Sequence, residues 1–174
     1  MSFLVLASPV IESKDLDWIQ SYRRKNDELF YKIVDPHFTI VFAVDDKTEE
    51  DFIKEIETQS KDIRQIEFEI KKAIVHKDEF SEYYHEFLIP EKGRDEIEVL
   101  HDKLYSGNLF PHWRKDIDYI PHIGIGNSKD KLKCERIVED LNSVGLHIPG
   151  RIKSLTIAKH SNGVLIKIKE LRLG

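Results

Sequence analysis

The chain has 174 residues, the size of one domain on a scale of about 100–200 residues per domain. Its 27 basic and 32 acidic side chains leave a net charge of −5, which argues against a long basic groove for duplex nucleic acid but leaves room for a small anion in a local pocket. Apolar residues at 40% beside 34% charged ones suffice for a packed core, and a single cysteine, Cys134, excludes an internal disulfide framework.

Phe3–Ala7 is a short apolar run that reads as a buried strand, stopped by Ser8-Pro9. Ser13 is placed to cap a helix carrying Leu16, Ile19 and Tyr22 on one face, with Arg23-Arg24-Lys25 at the end where cations suit the dipole. His37–Val44 reads as a strand of two parities: Phe38, Ile40, Phe42 and Val44 on one face, His37, Thr39, Val41 and Ala43 on the other. A helix follows from about Lys47 to Asp62, with Phe52, Ile53, Ile56 and Ile63 at helical spacing and its charges on a solvated face. Two strands are expected next, Ile66 to Val75 and Tyr83 to Ile89, the second ending at Pro90. Arg94–Tyr105 repeats Ile97, Leu100, Leu104 and Tyr105 as a helix does, which leaves His101 expected at the surface. A strand spans Ile120 to Gly126, Ser128 caps a helix that buries Cys134, Ile137, Val138 and Leu141, and Gly145 closes it. Strands Ile152–Ala158 and Val164–Ile168 join through Asn162-Gly163, a hairpin signal.

Seven strands and four helices in mixed order make an α/β or α+β domain without an internal linker. No apolar run approaches the roughly 20 residues of a membrane span. Met1-Ser2 leads straight into an apolar run with no basic start or small-residue cleavage pattern, so a cytoplasmic location is expected.

One segment recurs. Asp35-Pro36-His37-Phe38-Thr39-Ile40 matches Ile120-Pro121-His122-Ile123-Gly124-Ile125 in its proline, its histidine and the apolar residue three further on. The two histidines lie 85 residues apart, close to half the chain. Proline suits a first strand position because it has no ladder donor, the apolar parity anchors each strand, and the histidine parity is free to face a cleft. Halves packed about a rough two-fold axis would bring His37 and His122 together. Two imidazoles at one phosphate make a general acid–base pair near neutral pH, with Thr39 as a hydroxyl donor to a non-bridging oxygen, and no metal is needed. A lone strand histidine is usually structural; two in matching contexts favour catalysis.

These residues resemble the two-histidine (2H) phosphoesterase superfamily, whose members carry two His-x-Thr/Ser-x motifs. The resemblance implies a bilobal α+β fold with pseudo-two-fold symmetry, residues 1–174 forming one domain of two antiparallel-sheet lobes, helices on the outer faces and a central cleft. It implies metal-independent chemistry without a cofactor on 2′,3′-cyclic phosphates or 2′,5′-linked diesters of RNA or nucleotides, with ligation as the reverse. Carried over by position, His37 and His122 are the acid–base pair and Thr39 a phosphate donor. Gly124 departs from the family's Thr or Ser, and losing one such donor costs roughly 3 kcal/mol, about a hundredfold in rate. A glycine backbone or a water could substitute, or the protein could bind an RNA end or nucleotide without turnover.

Around the motifs, Trp113 could stack a base, Arg114 could meet a phosphate and Tyr119 could line the cleft. The bland alternatives are an exposed loop with Trp113 tucked against the lobe, and core packing for Tyr119. His76, His101 and His147 lack a repeated context, and no spacing matches a zinc or other metal set. The expected partner is a small phosphodiester or a short RNA end, with no membrane, no long duplex and a monomeric state.

Overall fold

The computed structural model describes all residues, Met1–Gly174. Nine strands form two antiparallel sheets. One has the order β3 (Phe38–Val44), β1 (Ser2–Ala7), β8 (Ser154–Ser161), β9 (Val164–Arg172). The other runs β2 (Pro9–Ile11), β7 (Ile148–Ile152), β4 (Ile66–Lys77), β5 (Tyr84–Lys92), β6 (Ile123–Ser128). Each sheet therefore ends on a strand that begins at one Pro-His segment, and the two lobes present those edges to a shared cleft. This is the bilobal α+β architecture with pseudo-two-fold symmetry.

Four helices, α1 (Ser13–Asn26), α2 (Glu49–Ser60), α3 (Arg94–Leu104) and α4 (Lys131–Ser143), complete the layers. Thr48 caps α2 by accepting from the Asp51 N–H, and Asp130 caps α4 by accepting from that of Lys133. The expected caps Ser13 and Ser128 are displaced, since Glu12 and Asp130 occupy those positions. Helices α2 and α4 each follow a motif strand. Phe52 of α2 stacks on Phe3 of β1 at 5.6 Å, and α4 covers β4, β5 and β6. Helices α1 and α3, which precede the motif strands, pack crosswise: α1 on β6 of the opposite lobe and α3 on β3. Apolar side chains of both sheets merge into one buried cluster. No helix is long and apolar enough to cross a membrane.

The expected Ile152–Ala158 strand is two strands in different sheets, divided at exposed Lys153, and the first strand likewise passes at Ser8 into the unforeseen β2. Pro90 does not end β5. It pairs with Ile70 at a bulge of β4, and the pairing of β5 with β6 stops at Leu88, so no ladder donor is missed there. Asn162 and Gly163 turn the β8–β9 hairpin with φ of 53° and 76°, as a two-residue turn matching strand twist requires.

Candidate active site

Both Pro-His segments fold alike. Pro36 and Pro121 are buried, Phe38, Ile40, Ile123 and Ile125 point into the core, and the alternate positions His37, Thr39, His122 and Gly124 are half-buried at the cleft. Each histidine Nδ1–H donates to the carbonyl two residues earlier, His37 to Asp35 at 2.7 Å and His122 to Ile120 at 2.6 Å. A carbonyl can only accept, so the proton sits on Nδ1 in both rings and Nε2 is the nitrogen left for other chemistry.

A bulge follows each histidine at the same place. Thr39 pairs with Leu6 and Val41 with Val5, so Ile40 is an extra residue in β3; Gly124 pairs with Phe87 and Gly126 with Glu86, so Ile125 is extra in β6. Bulges bend and re-aim a strand, and a further register shift follows in β3. Simple alternation put Phe42 on the core face; the bulges turn it to the cleft, where it is 47% exposed.

Braces from the opposite lobe hold these strands. Asp27, which ends α1, accepts from Asn127 Nδ2 at 2.6 Å; Tyr105, which ends α3, accepts from the Phe42 N–H at 3.0 Å. Asn127 and Phe42 each lie five residues beyond their motif histidine. One turn earlier on each helix stands a second buried side chain. Arg23 pairs with Asp27 at 2.9 Å and donates to the Val34 carbonyl, three residues before His37. His101 stacks on Tyr119, three residues before His122, with centroids 3.8 Å apart. His101 is thus 3% exposed and not a surface residue. Its spacing four beyond Ile97 and three before Leu104 was the sequence signal for burial.

The cleft is a cavity of about 880 Å³ lined by residues of both lobes. His37, Thr39, His122, Gly124, Tyr119 and Arg114 all border it. So do seven of the eight histidines, all but His147, although only two stood out in sequence. The others arrive from separate elements whose convergence has no local signal. His76 and His85 form a cross-strand pair, and His85 Nε2 lies 3.0 Å from Asp78. Both rings stack on Phe87, which stacks on His122 with centroids 3.6 Å apart.

Trp113 does not border the cavity. A short 3₁₀ turn, Phe110–His112, directs its indole onto the core beside Tyr105, where burial of its apolar area outweighs exposure to the cleft. Arg114 is held in a two-pronged pair with Asp116 at 2.7 and 2.8 Å, its guanidinium over Phe80. The Tyr119 hydroxyl donates to the Thr39 carbonyl at 2.8 Å, tying the approach to one motif to the strand of the other.

Burial lowers the proton affinity of both motif histidines. For His122 burial is the largest effect, opposed by the Ile120 carbonyl and reinforced by His37, His76 and His85, and its pKa falls to about 4. For His37 burial again leads, with the Asp35 carbonyl opposing and Arg23 adding to the depression. His37 and His122 both border the one cavity. At Gly124 a side chain would meet nothing within 4 Å, whereas at Gly126 it would strike the Glu86 carboxylate at 2.3 Å. Only Gly126 is required by packing.

The chain belongs to the 2′-5′ RNA ligase superfamily, whose family model matches residues 11–164. Among solved structures it is similar to E. coli LigT complexed with 3′-AMP (14% identity, 99% of this chain and 97% of that chain covered, TM-score 0.59). It is similar also to TT0787 of Thermus thermophilus (12%, 99% and 98%, 0.60) and to Usb1 of Kluyveromyces marxianus (9%, 99% and 98%, 0.57). At these identities the likeness is one of fold. No curated protein sequence matches the chain.

Proposed function

We propose that the protein is a metal-independent phosphodiesterase that opens a 2′,3′-cyclic phosphate, or cleaves a related 2′,5′-type diester, of RNA or a nucleotide, with His37 and His122 as acid–base pair. The observation that carries this reading is the matched pair of Nδ1–H to carbonyl bonds, which leaves one Nε2 from each lobe at a single cavity.

A neutral imidazole takes a proton from water at its Nε2 while the water oxygen attacks phosphorus. The other ring, protonated at Nε2, gives its proton to the 2′ or 3′ oxygen as the bond from phosphorus to that oxygen breaks. The phosphate anion between the rings favours the protonated partner and so offsets the burial that disfavours it. Thr39 supplies a hydroxyl donor to a non-bridging oxygen. Gly124 supplies none, and its open surroundings leave room for water or substrate. Since the Tyr119 hydroxyl is committed to Thr39, its ring forms a wall of the site, and Arg114 stands at its border.

The test is hydrolysis of nucleoside 2′,3′-cyclic phosphates and 2′,5′-dinucleotides in EDTA. His37→Ala and His122→Ala are each expected to lower kcat about a thousandfold; full activity in both variants would refute the assignment. Because both pKa values are depressed, kcat/KM should peak below pH 6.5. Binding of an RNA end or nucleotide without turnover is the second reading, favoured by the missing hydroxyl at Gly124. The enzyme is read as a cytoplasmic monomer.

A further inference from the structure

We propose that the site selects phosphodiesters bearing a single negative charge, a nucleoside 2′,3′-cyclic monophosphate without further phosphates, over RNA ends. This rests on the phosphodiesterase reading and names its substrate class.

The ground is the fixed charge of the cavity. No lysine lines it, and its two arginines are already committed, Arg23 to buried Asp27 and Arg114 to Asp116. Three further carboxylates, Asp78, Glu79 and Asp118, stand in the lining. Burial pushes the Asp78 carboxyl up, but hydrogen bonds from the Phe80 N–H, His85 and Ser81 outweigh it and hold it at about 2, so it is ionised. Counting lining residues alone, two cations face four anions, a balance of −2 with the histidines neutral.

Burial keeps three of the lining histidines from adding to this balance. Burial disfavours the protonated forms of His37, His101 and His122. His85 and His112 already stand against carboxylates, Asp78 at 3.0 Å and Asp46 at 3.1 Å. One phosphate is therefore held by the Thr39 hydroxyl and by the one motif histidine that it draws into the protonated form, while each additional phosphate meets the carboxylates of the lining. Proteins that hold a nucleic-acid strand do the reverse and neutralise successive phosphates with Lys and Arg. The apolar side chains at the cavity, Phe30 and Phe80 at 45% and 78% exposure, suit the uncharged nucleoside.

The experiment compares a nucleoside 2′,3′-cyclic phosphate, the same compound with a 5′-phosphate, and a trinucleotide ending in a cyclic phosphate. kcat/KM is measured at low and high salt, and Kd is measured by titration calorimetry. The first should be preferred about tenfold or more at low salt, the factor expected for one like charge at about 10 Å in a partly wet site. Salt should narrow the gap by screening. Glu79→Gln with Asp118→Asn should narrow it too. Equal or better kcat/KM and Kd for the 5′-phosphorylated compound or the trinucleotide would overturn the proposal. Binding with the expected preference but without turnover would overturn the phosphodiesterase reading alone. Absence of binding by all three would overturn both.

Discussion

The two lobes build the same backbone and fill it with different chemistry. Each has a buried proline, a histidine locked by the carbonyl two residues back, a bulge three residues past the histidine, and a brace five residues past it. The brace on β6 is ionic, the Arg23–Asp27 pair reaching Asn127. The brace on β3 is aromatic, with Tyr105 accepting from Phe42 and His101 stacked on Tyr119. Beside one histidine stands a hydroxyl, Thr39; beside the other stands Gly124. The shared part is what aims an imidazole. The divergent part holds the lobes together or tunes the charge around the rings, and several side-chain sets can do that.

The largest effects should come from the braces, and they should be unequal. Arg23→Leu leaves Asp27 buried without its cation and is expected to lower stability by about 3–5 kcal/mol, whereas Tyr105→Phe leaves one backbone N–H without a partner and should cost about 1–2 kcal/mol. Chemical denaturation of both variants checks this; equal losses would mean that the two braces are energetically alike. Next comes the hydroxyl asymmetry. Thr39→Ala should lower kcat about a hundredfold with little change in KM, as loss of a transition-state donor does. Gly124→Ala should change kcat less than twofold, because the site beside it is open. A comparable loss in both variants would show that substrate or water occupies the space beside Gly124 during the reaction.

Acid stability gives a smaller effect. His122 has a pKa of about 4 in the fold against about 6.5 when unfolded. The unfolded chain therefore binds more protons between those values. The stabilisation is fully present above pH 6.5 and is lost as pH falls through 4, the loss amounting to about 2.5 kcal/mol by pH 4.5. Urea titrations of wild type and His122→Asn along this range should diverge, with the variant flatter. The smallest effect is expected from Gly124→Thr, a gain in kcat of up to about tenfold if the added hydroxyl reaches the phosphate.

The repeat made the motif residues legible in sequence, because proline, histidine and apolar parity are local signals that recur. The cavity as a whole was not legible. Phe42 shares the parity of Phe38 and Ile40 until the bulges shift it, and a bulge leaves no mark in a hydrophobic pattern. His76, His85 and His112 come from three different segments, and only the tertiary fold brings them to one cavity. Trp113 follows its bland reading: an aromatic among cations looks like a base-stacking group, but its ring packs against the core beside Tyr105. The crossing between sheets at Lys153 was hidden because it lies in an unbroken strand-like run, and the one at Ser8 because Ser8-Pro9 looks like a stop with no strand beyond it.

In the proposed reaction the two histidines, one from each lobe, act on one phosphorus atom. A crystal structure with vanadate and a nucleoside, which together imitate the five-coordinate phosphorus of diester cleavage, tests it directly. The account predicts His37 Nε2 and His122 Nε2 each within about 2.6–3.2 Å of an oxygen on the same vanadium, on opposite sides of the metal centre. Vanadate seated on one ring alone, with the other turned away or beyond hydrogen-bond reach, would contradict it.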